Sequence, residues 1–236
     1  KIYKSILKNR NSILMFEHDD DRNKLTKLLK VDHDRTVIIN GAGVDPDVFK
    51  YSCECTNKTP AVLFASRLLW SKGIGDLVEV KKRLMKKGVV FDLIVAGIIT
   101  NNDSDSVPMS TIDKWKELGL ITWLGHSNNV YQLIKESNLV ALPSVYPEGI
   151  PRILLEACSV GRACIAYNVG GCSSLVKNNV NGVILDKNDI DGLCDKIEFL
   201  LNNPGERILM GLKGREYIKN KFSSEHISKN TLDVYQ

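Results

Sequence analysis

Six short apolar segments, at residues 61–65, 91–96, 121–124, 139–142, 163–167 and 182–185, recur along the chain. Helical spacing of apolar residues fills most gaps between them, over 73–87, 128–136 and 150–159, and three more helical stretches follow at 189–201, 206–220 and 224–235. A strand that is apolar at every position has no face for water, so helices must cover both sides. Strands of this kind alternating with helices predict an α/β fold, a Rossmann-like parallel sheet with helices on both faces. No internal repeat is present. Open parallel sheets bind ligands beyond the C-terminal ends of their strands, so the residues just after each strand carry the functional argument.

Upstream of the regular pattern, residues 12–16 (SILMF) predict a short strand. Residues 19–29 predict a helix whose first turn holds three aspartates, suited to the positive end of the helix dipole. His18 beside Asp19, Asp20 and Asp21 admits a metal site or a helix cap, and the cap is the reading favoured. Residues 36–39 predict a second strand, ending in a turn over 40–43. The stretch 51–60 (YSCECTNKTP) is polar and aperiodic, and predicts a linker at a domain boundary.

With 236 residues the chain has room for one α/β domain and a piece of another. Its net charge of +4 is too small to argue for nucleic acid. Basic residues gather at Lys81, Lys82, Arg83, Lys86 and Lys87, and again over 213–221. Two readings stand for them, a solvated helix face and attraction to an anionic membrane surface. No apolar run nears the roughly 18 residues of a membrane-spanning helix. The opening KIYKSILKNRN lacks the apolar centre of a signal peptide. The expectation is a cytoplasmic chain, with peripheral contact at the inner face of the plasma membrane as a further option. Of the six cysteines, three sit in apolar or small-residue stretches, as small core residues do. Cys53-x-Cys55 is too closely spaced for a familiar zinc pair and has no second pair to match. Reduced thiols fit best.

The chemistry-bearing residues follow two strands. After 61–65 come Arg67 and Lys72, with a helix beginning near Gly73. A diphosphate needs fixed positive charge and backbone N–H donors, and this segment supplies both. There is no GxxxxGK[ST] phosphate loop, and no GxGxxG with an acidic residue at dinucleotide spacing. After 139–142 comes PSVYPEGIPRILLEA, residues 143–157. Glu148 falls in the loop and Glu156 in the helix beyond it. Gly149 admits close backbone approach to a ligand, and a helix starting near Ile150 or Pro151 aims free N–H groups at phosphate. A carboxylate in such a helix can accept two ribose hydroxyls. Glu156 stands in an apolar, small-residue run where an unpaired charge is costly, so a partner is expected.

Together these residues resemble glycosyltransferase family 4, enzymes of the GT-B fold. The family's E-x7-E pattern corresponds to Glu148 and Glu156, and its basic pair to Arg67 and Lys72. INGAGVDPDVF (39–49) is similar to its interdomain segment. WLGH (123–126), LVALPS (139–144) and GGCSSLV…NNVNGVIL (170–185) follow in the family's order. The loop PSVYPEGIPRILLEA resembles most a bacterial subgroup that builds capsule, O-antigen or glycoprotein glycans on polyprenyl-diphosphate carriers. The resemblance implies transfer of a hexose or N-acetylhexosamine from a nucleotide sugar, usually UDP-linked, with retention at the anomeric carbon. It implies a lipid-diphosphate-linked or growing polysaccharide acceptor, no cofactor, and no required metal. Arg67 and Lys72 would hold the diphosphate and stabilise the leaving group. Glu148 would contact the donor sugar, and with the two cations it forms the expected catalytic set. Gly149, Ile150 and Pro151 would offer backbone contacts, Glu156 would bind the ribose, and His126 would contact the nucleotide. Ser173 and Ser174 depart from the subgroup, which usually carries a basic and an acidic residue there. Asn138 replaces a common aspartate.

The implied organisation assigns residues 1–50 to the terminal piece of an acceptor domain and the interdomain segment. Residues 51–220 form the nucleotide-sugar-binding domain, the C-terminal half of a GT-B fold, and 221–236 a crossover helix packing against residues 1–30. The chain thus looks like the donor-binding part of a longer protein. A nucleotide-sugar-binding module without catalysis and a UDP-sugar 2-epimerase-like enzyme are the alternatives. The implied partners are a nucleotide sugar and a polyprenyl-diphosphate-linked saccharide, with no nucleic acid.

Overall fold

The computed structural model describes residues 12–54, 59–100 and 103–235. A small N-terminal unit comes first. Strand β1 (Leu14–Phe16) and strand β2 (Thr36–Ile38) pair in parallel around helix α1 (Asp19–Leu29). His18 caps α1 by accepting a hydrogen bond from the Asp21 N–H, and its ring also lies 3.2 Å from the Asp21 carboxylate. The cap reading of His18 therefore holds. Residues 1–11, part of the surface expected to meet the crossover helix, lie outside the described residues.

Six strands build the main sheet: β3 (Ala61–Ala65), β4 (Asp92–Ala96), β5 (Thr122–Trp123), β6 (Leu139–Leu142), β7 (Ala163–Tyr167) and β8 (Gly182–Leu185). All pair in parallel, in the order β5-β4-β3-β6-β7-β8. The order runs outward in both directions from the β3–β6 pair, which makes their C-terminal ends the topological switch point. Val62, Leu63, Phe64, Val140 and Ile165 have no exposed surface. That burial is what continuous apolar strands require.

Helices connect the strands: α2 (Ile74–Lys86), α3 (Met109–Glu117), α4 (Val130–Glu136), α5 (Arg152–Val160), the short α6 (Cys172–Leu175), α7 (Ile190–Asn202), α8 (Pro204–Tyr217) and α9 (Ser224–Tyr235). Contacts group α2 with α7, and α4 with α5 and α8. Apolar periodicity does not announce α3, because only Ile112 and Trp115 of its residues are buried. The helix expected over 206–220 ends earlier than that, since Ile218–Phe222 forms a π turn. That turn bends the chain so that Val44 is bonded on both sides, its N–H to the Phe222 carbonyl and its carbonyl to the Ser224 N–H, each at 2.9 Å. Helix α9 thereby meets the interdomain segment at Gly43 and Val44, with Ile227 buried there.

Two expectations need correction. Lys81 is not on a solvated face. It is buried, donates to the Phe91 carbonyl and lies over the Phe91 ring. Its neighbours Arg83 and Lys87 pair with Asp191 and Glu198 of α7, which removes much of the free positive charge a membrane reading needs. The segment beginning at Tyr51 is also more than a linker. Arg162 is buried and donates to the carbonyls of Ser52, Cys53, Lys135 and Ser137. The Glu54 side chain is 2% exposed and forms a two-pronged ion pair with buried Arg207. Cys53 is exposed, Cys55 lies outside the described residues, and Cys158, Cys164, Cys172 and Cys194 are buried thiols.

Candidate functional site

The loops after β3 and β6 meet at the switch point. After β3, a 3-10 turn over Trp70–Lys72 leads into α2 through Gly73, at φ +81°. A Cβ on Gly73 would lie 1.9 Å from the Pro143 carbonyl oxygen, so only glycine lets the start of α2 abut the β6 loop. The Ser71 carbonyl accepts from the Val145 N–H at 2.8 Å and from the Ser144 hydroxyl at 3.1 Å, which locks the two loops together. In consequence Lys72 Nζ reaches Glu148 Oε1 at 2.5 Å, with the two side chains 13% and 14% exposed. Lys72 keeps two further N–H donors. Arg67 is exposed, and among the described residues no carboxylate lies within ion-pair distance of it.

Glu156 faces the other side of Arg67. It is buried in α5, and its partner is Arg152 one turn earlier, at 3.2 Å. Burial raises its pKa above the ordinary carboxylate range, and the Arg152 hydrogen bond and charge offset only part of that shift. His126, exposed in the loop after β5, bonds the Asn128 side chain at 2.9 Å.

Two cavities adjoin at Arg67. One, of about 320 Å³, is lined by Arg67, Gly97, His126, Arg152, Ile153 and Glu156. The other, of about 420 Å³, is lined by Arg67, Ser71, Lys72, Asp103, Asp105 and Glu148, with Tyr146 at its edge. The structure therefore brings together Arg67, Lys72, Glu148, Glu156 and His126, five of the residues expected from sequence. Gly149, Ile150 and Pro151 line neither cavity. The Ile150 N–H, expected to be free for phosphate, bonds the Glu17 carboxylate at 3.0 Å. A Cβ on Gly149 would meet that same carboxylate at 2.0 Å, so the close approach Gly149 permits is to Glu17. Pro151 has no N–H to offer. Of the start of α5, Arg152 and Ile153 line the first cavity, ahead of Leu154 and Leu155, whose N–H groups bond the Pro151 carbonyl.

Sequence reasoning missed Glu17, Asp103 and Asp105. The polar run NNDSDS gives no periodicity from which to assign a wall of the site. Behind Glu148, the Gly171 N–H bonds the Glu148 carbonyl at 2.9 Å. Burial, with the Glu148 charge, pushes the neighbouring Cys172 thiol up to about 12, so it remains protonated. The carbonyls of Ser173 and Ser174 accept from Lys177 and Tyr217. Asn138 accepts from the Ala61 N–H and donates to Glu54, a structural bond at the start of β3. Among the described residues no three His, Cys, Asp or Glu side chains group as a metal site, and no helix is long and apolar enough to cross a membrane.

Residues 54–217 match the family model described as Glycosyl transferases group 1. The capsular polysaccharide biosynthesis glycosyltransferase CapM of Staphylococcus aureus is 28% identical over 173 residues, 73% of this chain and 44% of that protein. The UDP-Gal:alpha-D-GlcNAc-diphosphoundecaprenol alpha-1,3-galactosyltransferase of Escherichia coli is 28% identical over 193 residues, 76% of this chain and 49% of that protein. The chain thus spans about half the length of the curated relatives it matches. Among solved structures, Anabaena HepE in complex with UDP superposes with a TM-score of 0.82 at 19% identity, over 95% of this chain and 63% of that one. That likeness speaks to the fold, which is that of GT-B glycosyltransferases.

Proposed function

Because this chain belongs to the group 1 glycosyltransferases, we propose that it is the donor-binding part of a retaining hexosyltransferase that uses a UDP-sugar. The observation that carries the reading is the placement of Arg67 between two cavities, one with Glu156 and His126, the other with Lys72 and Glu148. A nucleoside diphosphate sugar has the same sequence of chemistry: a nucleoside with a diol, two phosphates, then a sugar. Glu156 accepts the ribose hydroxyls. Arg67, Lys72 and the α5 amides of Arg152 and Ile153 hold the diphosphate. Glu148 contacts the sugar and keeps Lys72 aimed. As the bond from the anomeric carbon to the phosphate oxygen breaks, its electron pair leaves with UDP, and the fixed cations stabilise that charge. The acceptor is a polyprenyl-diphosphate-linked or growing saccharide, in keeping with the relatives' printed activities. Neither a cofactor nor a metal is required in this scheme, and the protein works in the cytoplasm.

The direct test is thermal stability with nucleotides. UDP at 100-fold above its Kd is expected to stabilise the protein by about 2.7 kcal/mol, and EDTA is expected to leave that gain intact. No shift with UDP or with common nucleotide sugars at millimolar concentration sinks the proposal.

The division of roles has its own test. Glu156→Ala should weaken UDP binding by roughly 1–3 kcal/mol, the scale of hydrogen bonds to a charged group. In the full-length enzyme, Glu148→Ala should lower turnover more than it lowers UDP affinity. Because burial raises the Glu156 pKa, protonation should remove its acceptor role at a pH above the ordinary carboxylate range. UDP affinity should therefore fall as the pH falls through that raised value, and Glu156→Gln should flatten the dependence. Calorimetry across pH on the parent and the three variants reads the affinities, and sugar transfer by the full-length enzyme reads the turnover; equal losses of affinity in the two alanine variants refute the assignment.

A further inference from the structure

The cavity beyond Arg67 has a wall that the donor reading does not use. The chain leaving β4 is bonded to the β3 loop at Ile98, Asp105 and Val107. The Leu68 N–H bonds the Ile98 carbonyl, the Val107 N–H bonds the Leu68 carbonyl, and the Trp70 N–H bonds the Asp105 carbonyl, all within 2.8–2.9 Å. The Asp105 carboxylate takes the Ser71 N–H and the Ser71 hydroxyl. Trp70 also packs edge-on against Trp115 of α3, with ring centroids 5.8 Å apart. This wall is held in place before any ligand arrives, so a contact made from it carries little ordering cost.

Three carboxylates look into that cavity, and they are not equivalent. Glu148 is occupied by Lys72 and Asp105 by Ser71. Asp103 has one oxygen, Oδ1, bonded to the Asp105 N–H at 3.0 Å, a contact that fixes the side chain's direction. Among the described residues nothing donates to its Oδ2. A carboxylate accepts up to about four hydrogen bonds, so Asp103 brings open acceptor capacity to a cavity in which Lys72 holds one oxygen of Glu148, Ser71 holds Asp105, and Arg67 stands at the diphosphate position.

We propose that Asp103 is a specificity-determining residue for the transferred sugar: its carboxylate accepts a hydrogen bond from a hydroxyl or acetamido N–H of a neutral hexose, and it repels a donor whose sugar bears a carboxylate. The inference rests on the donor reading above, because it takes the cavity beyond Arg67 as the sugar subsite. The chemistry of discrimination is one-sided. A neutral sugar gains a charge-assisted hydrogen bond. A hexuronate brings a second anion beside Asp103, and the cations that line the cavity among the described residues, Arg67 and Lys72, are committed to phosphate and Glu148.

The test is calorimetry on the intact protein and its Asp103→Asn variant, with UDP, UDP-glucose, UDP-galactose, their N-acetylhexosamine counterparts and UDP-glucuronate. Asparagine keeps the oxygen that accepts from the Asp105 N–H, so the wall is retained, while the open acceptor becomes an N–H donor. In the unmodified protein at least one neutral UDP-sugar is expected to bind roughly tenfold or more tighter than UDP-glucuronate. In Asp103→Asn that neutral sugar should lose roughly tenfold in affinity, UDP-glucuronate should gain, and UDP itself should hold within about twofold. An unchanged ratio of neutral sugar to glucuronate overturns the role of Asp103 while leaving the donor reading standing. A drop in UDP affinity equal to the drop for the sugars also overturns it, since Asp103 would then only be holding the loop. No binding of UDP to the unmodified protein removes the donor reading, and the inference falls with it.

Discussion

Replacing Glu54 by alanine is expected to destabilise the fold by about 3–5 kcal/mol, the scale of leaving a buried charge without its partner. Glu54 and Arg207 are 2% and 3% exposed, and three contacts of 2.7–3.1 Å join them. The Asn138 amide also donates to the Glu54 carboxylate. Removing the acid leaves a buried guanidinium with, among the described residues, only the Leu200 and Leu201 carbonyls as acceptors. The loss is therefore larger than the value of the pair itself, because the remaining charge has lost water and partner together. Denaturant unfolding of Glu54→Ala measures it. The double variant Glu54→Leu/Arg207→Leu should recover much of the stability, since apolar replacement of a whole buried pair is often neutral. A single alanine variant within about 1 kcal/mol of the parent, the range of exposed ion pairs, would show that solvent reaches the pair.

That ion pair also shows where reading the sequence stops. The strands were legible because most are continuous apolar runs; bounds for β3, β6, β7 and β8 match the expected segments residue for residue. Strand β5, at the sheet edge, is shorter than expected, Thr122–Trp123, and pairs with β4 alone. The stretch 51–60 has no period, and aperiodic polar sequence predicts a loop whether or not one residue of it is buried. Glu54 is separated from Arg207 by most of the domain, and nothing in local spacing ties the two together.

The site divides along the same line. Arg67, Lys72, Glu148 and Glu156 were legible because each follows or enters a strand–helix junction at the switch point, where the fold class alone concentrates function. The requirement that Glu156 have a partner followed from its apolar surroundings, and Arg152 meets it. The Glu17 contact was not legible. It joins the N-terminal unit to the start of α5 across more than a hundred residues, and it turns an amide expected for the ligand into an internal bond. Residues that act through tertiary contact, such as Asp105 on Ser71, carry no signature in their own neighbourhood.

Produced as these 236 residues alone, the protein is expected to bind donor and fail to transfer sugar. Transfer needs the acceptor hydroxyl held against the anomeric carbon, and positioning of that kind contributes about 7–11 kcal/mol in favourable cases. The cations proposed to assist UDP departure, Arg67 and Lys72, sit within the six-stranded unit, at the cavities they share with Glu148 and Glu156. The N-terminal unit reaches the start of α5 through Glu17, and its described elements are two three-residue strands and one helix, too few to enclose a saccharide; the curated relatives are about twice as long. Slow hydrolysis of the donor should persist, because charge stabilisation at the leaving group does not need an acceptor. The experiment incubates the 236-residue chain, and separately the protein purified from its own cells, with labelled UDP-sugar and a polyprenyl-diphosphate-linked acceptor. Labelled lipid from the second and only free sugar from the first is the expected outcome. Comparable glycosylated lipid from both would mean that β1, β2 and α1 already hold the acceptor, and the donor-only reading of this chain would be abandoned.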